Sequence, residues 1–207
     1  MEAIDGREIA VSCEEKSPEE YELTGRISSH PVELRERLQL KQYTFKPGDI
    51  DLEKCIACGG PKILSEYSWR LDRGVIENRE SGRRMILIGP ATQEAILDEL
   101  TQELGDAIPQ AAMEAQRHLV ASGFFSSEEI RGAGDFRTQF AYRGLGNLRE
   151  IDLDRDHLSL RLENPCLHQM VVGLVQGLYE QAFGTRGEVA WEITGDGDLA
   201  VDVRAKS

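Results

Sequence analysis

Val189-Ala190-Trp191-Glu192-Ile193 and Leu199-Ala200-Val201-Asp202-Val203, joined across Gly195-Asp196-Gly197, alternate apolar and other side chains on both arms. Period-two alternation on either side of a glycine-rich turn predicts a β-hairpin with one buried face. Upstream, Leu158, Leu160 and Leu162 alternate in the same way, and Asn164-Pro165 ends that strand. The stretch between them changes period. From about Leu167 to Phe183, Val171, Leu174, Val175, Leu178 and Phe183 fall on one helical face. Gly173 and Gly177 lie four apart on that helix. Each glycine costs a helix roughly 1 kcal/mol relative to alanine, so the pair points to close backbone packing. The last third therefore reads β-α-β-β.

Before it, Thr92 is the expected N-cap of a helix carrying Ile96, Leu97, Leu100 and Leu104, closed by Gly105. Pro109 is expected to open a second helix with Met113, Gln116, Arg117 and Val120, ended by Gly123. Ser126 and Glu129 stand at capping-box spacing for a third, whose continuation past Gly132 and Gly134 is left open. Tyr67, Trp69, Val75 and Ile76 flank a turn at Asp72-Arg73-Gly74, and Arg83–Gly89 reads as basic residues entering a short apolar strand. Residues 66–207 thus form the expected core domain.

Residues 1–65 are polar, proline-dotted and weakly periodic, an irregular extension with too few large apolar residues to fold alone. Val32–Leu40 could form a short helix, and Tyr43-Thr44-Phe45 a short strand before Pro47-Gly48-Asp49. Within this extension Cys55-Ile56-Ala57-Cys58-Gly59-Gly60-Pro61 brings two thiols into one tight turn, as in a zinc knuckle. Gly59-Gly60-Pro61 argues against the helix that a redox Cys-x-x-Cys opens. Two thiols are half of a tetrahedral site, and the chain has no second Cys-x-x-Cys.

The chain has 207 residues and a net charge of −13, which opposes binding to nucleic-acid phosphates or acidic membranes. No apolar run approaches the length of a membrane span, and the polar start, Met1-Glu2-Ala3-Ile4-Asp5, reads as cytoplasmic. Four cysteines in such a chain fit reduced thiols or metal ligands better than disulfides.

Gly144-Leu145-Gly146-Asn147-Leu148, the strand through Leu162, His168-x4-Gly173-x3-Gly177 and the hairpin with Gly197-Asp198 resemble the 4-vinyl reductase domain family. That family is related to haem-NO-sensor-like ligand-binding folds. The resemblance covers roughly residues 85–205 and is strongest over 140–205. It implies an α+β domain, an antiparallel sheet packed by helices, that dimerises and holds a small apolar ligand, often beside a structural zinc. The family places zinc on a cysteine before the first helix glycine, then a glutamate and two cysteines around the final hairpin. Here His168 stands at the first position, with Cys166 two residues earlier, and Glu192 could stand for the glutamate. The hairpin has no cysteine. The expectation is that Cys55 and Cys58 replace the missing thiols and meet Cys166 or His168, clamping the N-terminal extension to the core.

Trp69, His118, Tyr142 and Trp191 are the candidate ligand-lining residues, with a core or solvated role open for each. Arg83, Arg84 and Arg143 could recognise a carboxylate, though pairing with the 37 acidic side chains is the simpler reading. No nucleophile–base arrangement, phosphate loop or dinucleotide fingerprint appears, which favours binding over catalysis without deciding it. The expected function is a cytoplasmic binder of a small hydrophobic or aromatic molecule, with structural zinc, working through a partner protein. Two alternatives stand: an accessory subunit or assembly factor of a larger enzyme, and a tetrapyrrole vinyl-reductase-type protein.

Overall fold

The computed structural model describes residues 9–18, 20–27, 42–123 and 133–206. The helix expected over Val32–Leu40 and the start expected at Ser126 lie outside them. Two compact units divide the chain, Met1–Gln39 and Leu40–Ser207.

The first unit contains an antiparallel hairpin, β1 (Ile9–Ser17) and β2 (Glu20–Ile27). Its register pairs Val11 with Gly25 and Cys13 with Leu23, with an irregularity between Glu15 and Ser17. This corrects the expectation of irregular backbone there. The hairpin escaped notice because neither face is buried: Val11, Tyr21 and Leu23 are all exposed, so selection for an apolar face left no alternation to read.

In the second unit, a short 3-10 helix (Lys62–Glu66) leads into β3 (Tyr67–Arg70), β4 (Val75–Asn78) and β5 (Arg84–Met85), a three-stranded antiparallel sheet. The β3–β4 turn falls where Asp72-Arg73-Gly74 predicts it, with Gly74 at φ 62°. The strand expected over Arg83–Gly89 is only two residues long. Ile86, Leu87 and Ile88 continue it in sequence but stand exposed, without a ladder partner.

Helix α1 (Pro90–Leu104) begins with Pro90 in the first position and Gly89 as its N-cap, three residues before the expected N-cap Thr92. Proline serves there because the first-turn N–H groups have no helical acceptor. Gly105 closes it at φ 76° as expected. Helix α2 (Ala107–Ala121) starts two residues before Pro109, and α3 (Ala133–Tyr142) carries the buried, stacked pair Phe136 and Phe140.

The second sheet is antiparallel, in the order β6 (Asn147–Leu153), β7 (His157–Glu163), β9 (Leu199–Ala205), β8 (Gly187–Ile193). Leu158, Leu160 and Leu162 lie opposite Val203, Val201 and Leu199, so one face of the two central strands is continuously aliphatic and buried. Helix α4 (His168–Phe183) contributes Val171, Val172, Val175, Leu178 and Tyr179 to the same core. Helix α2 packs on α4 through the two glycines. A β-carbon at Gly173 would stand 2.1 Å from the Met113 carbonyl oxygen, and one at Gly177 2.8 Å from Val120 Cβ. This is the close backbone packing that the glycine spacing predicts. The α+β class, with an antiparallel sheet packed by helices, is therefore observed.

Candidate functional site

The turn from β7 into α4 holds the two non-glycine residues with positive φ among those described, Asn164 (52°) and Leu167 (50°). Side chains other than glycine adopt this conformation at a cost of about 1–3 kcal/mol, and such costs gather at ligand clamps and switches. What holds them here is a strap of chain, residues 42–50, that runs without a ladder partner. The Lys46 N–H donates to Asn164 Oδ1 (2.8 Å), and Asn164 Nδ2 donates to the Lys46 carbonyl (3.0 Å). One asparagine side chain thus imitates a neighbouring strand. At the other residue, the Leu167 N–H donates to Glu94 Oε1 (2.7 Å), and the Tyr43 hydroxyl donates to Glu94 Oε2 (2.6 Å). Burial of Tyr43 and its bond to the Glu94 carboxylate both push its hydroxyl well above the ordinary tyrosine range.

Asp198, only 1% exposed, anchors the strap from the β8–β9 turn. Lys46 Nζ donates to its Oδ1 (2.5 Å), while Arg161 Nε and Nη2 donate to Oδ2 (2.9 and 2.7 Å). Burial alone would raise the pKa of this carboxyl. The two cationic donors outweigh that and hold it below the ordinary aspartate value. Further along the strap, Asp49 meets Arg137 and Arg149, and the Arg137 bond chiefly lowers its pKa to about 2.

Two cavities flank the strap and share Phe45 and Asn164. One, about 310 Å³, is walled by Tyr43, Phe45, Pro165, His168 and Ile193. His168 opens α4 and lies 5.2 Å, ring to ring, from Trp191. The other, about 260 Å³, is walled by Phe45, Ile50, Ala141, Gly144, Gly146 and Asn147. Asn147 is buried, and its Nδ2 donates to Glu163 Oε2 (3.2 Å) and Asp49 Oδ1 (3.4 Å). Those bonds fix the amide's orientation and leave Oδ1 without a partner among the described residues. A buried acceptor left unpaired costs about 1–3 kcal/mol. A third hollow of about 460 Å³ lies where Ser159, Ala190 and Ala200 leave room on the sheet face away from the helices. Leu160, Trp191 and Val201 also line it, with Glu150, Arg161, Glu192 and Asp202 at its polar positions, so it combines an apolar wall with charge. Trp191 is the one expected ligand-lining residue that borders any of the three.

Of the expected ligand-lining residues, Trp191 packs partly buried against the core beside His168. Trp69 stands edge-on to Tyr67 (6.4 Å), and Tyr67 in turn hydrogen-bonds Tyr142, whose hydroxyl burial pushes upward. Trp69 and Tyr142 are therefore brought together through Tyr67, but neither lines these three cavities. His118 is exposed on α2, 3.5 Å from Glu114. Arg83 donates to the Gly123 carbonyl, Arg84 faces Glu77 across β4–β5, and Arg143 lies over the Tyr142 ring. The residues sequence reasoning missed are Tyr43, Phe45, Lys46, Glu94, Asn147, Asn164 and Asp198. Asn164-Pro165 and Gly197-Asp198 were visible only as punctuation.

The expected metal ligands do not gather. Among the described residues no three His, Cys, Asp or Glu side chains form a group that could hold a metal ion. Cys166 is buried, and its thiol donates to the Gly144 carbonyl at 3.1 Å. His168 faces Trp191 and the 310 Å³ cavity. The family's zinc cluster does not fit either, since Glu192 is exposed and the β8–β9 hairpin carries no cysteine. The expected clamp of Cys55, Cys58, Cys166 and His168 is thus not formed among the described residues: Cys166 is buried with its thiol on the Gly144 carbonyl, and His168, half-buried, stands beside Trp191.

No family model matches the chain. No curated protein matches it. Among solved structures it is similar to the phenol-responsive sensory domain of the transcription activator PoxR, bound to phenol. The TM-score is 0.54 at 16% identity, covering 69% of this chain and 86% of that one. It is also similar to an H-NOX protein from K. algicida in the Fe(II) unliganded state, with a TM-score of 0.42 at 13% identity, over 70% and 85% of the two chains. A trafficking protein particle complex subunit 3 from Naegleria fowleri, covalently bound to palmitic acid, gives a TM-score of 0.38 at 16% identity, over 57% and 93%. The first of these likenesses shows a shared fold with a sensory domain.

Proposed function

We propose that this chain is a cytoplasmic small-molecule-binding domain whose ligand is a small aromatic or hydrophobic compound bearing a hydrogen-bond donor. Asn147 carries the reading: it lines a cavity shared with Phe45, Ile50, Ala141 and Asn164, and its buried carbonyl oxygen has no partner among the described residues. The fold shared with a phenol-responsive sensory domain supports the same class of ligand. In this reading the ring packs against Phe45 and its hydroxyl donates to Asn147 Oδ1. Ligand contact with Phe45 then tightens the strap, and the state of the strap is read by another protein. Cys55 and Cys58 hold a structural zinc outside this site.

Thermal unfolding of the chain with phenol, anisole and toluene tests the ligand. Phenol should raise Tm in a concentration-dependent way, and anisole, which cannot donate, should raise it far less. Equal shifts with all three would remove Asn147 from recognition, and no shift with any single-ring compound would overturn the reading.

A second reading, an accessory subunit of a larger assembly, draws on one observation. Ile86, Leu87 and Ile88 are consecutive and exposed, an apolar run suited to a protein partner. Purification of the chain from its own cells with a stoichiometric partner, lost on Leu87→Asp, would favour it.

A further inference from the structure

The loop Lys54–Lys62 closes tightly around two cysteines. Its backbone closes on itself: the Cys55 N–H donates to the Gly60 carbonyl (2.8 Å), the Gly59 N–H to the Cys55 carbonyl (2.8 Å), and the Lys62 N–H to the Glu53 carbonyl (2.7 Å). Gly59 takes φ 72° to make the turn, and Gly60 packs against Cys58 Sγ, where an added β-carbon would stand 3.6 Å away. The Ala57 and Cys58 N–H groups both donate to the Cys55 sulfur. Two amide donors on one sulfur suit a thiolate rather than a thiol, and they fix its direction.

The spacing is the second observation. Cys55 and Cys58 approach to 3.7 Å. Two thiolates on one tetrahedral zinc, each bonded at about 2.3 Å, stand about 3.8 Å apart. The loop therefore already holds two sulfurs along one edge of a zinc tetrahedron. It lacks the opposite edge, because no third His, Cys, Asp or Glu joins them among the described residues. The pair also faces outward: Ile56, between the two cysteines, is fully exposed, Cys58 is exposed and Cys55 half-buried.

We infer that a second copy of this chain supplies the other edge, so that one zinc joins two Cys55/Cys58 pairs across a two-fold axis. This deepens, and rests on, the zinc reading above. A two-fold axis through the metal presents the same pair twice, and the two edges of a tetrahedron are related by such an axis. Four thiols release four protons as four Zn–S bonds form, leaving a centre with a net charge of −2. Lys54 and Lys62 flank the loop in sequence, but Lys62 is paired with Glu53 (2.5 Å) and Lys54 lies 3.9 Å from Asp51, so the sulfurs themselves, not a cationic surround, define the half-site.

The test uses the full chain, purified reduced, stripped with chelator and titrated with zinc. Zinc content is read by elemental analysis, and mass by light scattering on a sizing column. The expected result is about 0.5 zinc per chain, with mass doubling from the 23.1 kDa monomer in step with zinc. Cys58→Ser should lower bound zinc at least about tenfold and keep the chain monomeric. Cys166→Ser should change neither, and unaltered far-UV dichroism shows that both variants fold. One zinc per chain on a monomer overturns the shared site while leaving the zinc reading intact. No bound zinc overturns both. Dimers that persist in Cys58→Ser overturn the role of metal in joining the copies. Phenol stabilisation measured on the chelated monomer reads the ligand site separately from all three.

Discussion

Gly173 on α4 lies so close to Met113 on α2 that a β-carbon there would fall 2.1 Å from the Met113 carbonyl oxygen. The obstacle is backbone, which cannot rotate aside as a side chain can. Gly173→Ala should therefore cost about 3 kcal/mol or more, despite alanine's better helix propensity. Urea unfolding would read this as a lower midpoint. Gly195→Ala, which meets nothing within 4 Å, should move the midpoint by no more than about 0.5 kcal/mol. Equal effects at the two positions would sink the packing argument.

Asp198 makes stability depend on acid. Its folded pKa lies below the unfolded value, so its contribution is fully present above the unfolded value of about 3.9 and is lost as pH falls through the folded one. The urea midpoint should hold steady from neutrality to about pH 5 and drop below about pH 4. In Asp198→Asn the neutral-pH midpoint should fall and the acid dependence flatten. The cost is about 2 kcal/mol, below the roughly 3–5 kcal/mol of a fully buried pair, because Lys46 and Arg161 are partly exposed and can return to water. An unchanged acid limb in the variant would assign that limb to other carboxylates.

Phe45 is 71% exposed yet borders both cavities, so binding and stability should separate there. Phe45→Ala should leave the unliganded Tm nearly unchanged and weaken phenol binding by about tenfold, as calorimetry would show. If the unliganded protein instead loses several degrees, the ring is core rather than cavity wall.

Tyr43→Phe removes the hydroxyl that donates to Glu94 and leaves a buried carboxylate oxygen short of a donor. A loss of about 1–2 kcal/mol is expected. In the parent chain Tyr43, with Tyr142 and Tyr179, should still be protonated at a pH where a free tyrosine has titrated, and the variant should show that late ultraviolet step smaller by one tyrosine.

The C-terminal β-α-β-β was legible because its core is made of alternating leucines and valines opposed in register, and hydrophobic period reports burial directly. Strand β6 gave no such signal. Between Leu148 and Glu150 its pairing slips, so Leu148 and Ile151 fall three apart instead of two. The helix α3 was obscured by Gly132 and Gly134, though Phe136 and Phe140 sit at helical spacing. The site resisted reading for a different reason. Lys46 and Asp198 are 152 positions apart, and Lys46 and Asn164 are 118 apart. No local pattern links residues at such separations, and each alone looks like an ordinary surface or turn residue. The Cys55–Cys58 loop was the opposite case. Its closed turn was legible from Gly59-Gly60-Pro61, while Cys166 and His168, expected to meet it, do not join it in any group that could hold a metal among the described residues.

The strap over residues 42–50 has one more consequence. It is pinned at a few side-chain bonds, whereas β7 and β9 are sealed along their whole length by paired backbone. Opening it therefore needs only a local excursion, not loss of the core. Its amides should take up deuterium long before those of the central strands, and a bound ring resting on Phe45 should slow them selectively. Isotope uptake at these few positions would then serve as a gauge of occupancy that requires no knowledge of what the chain reports to.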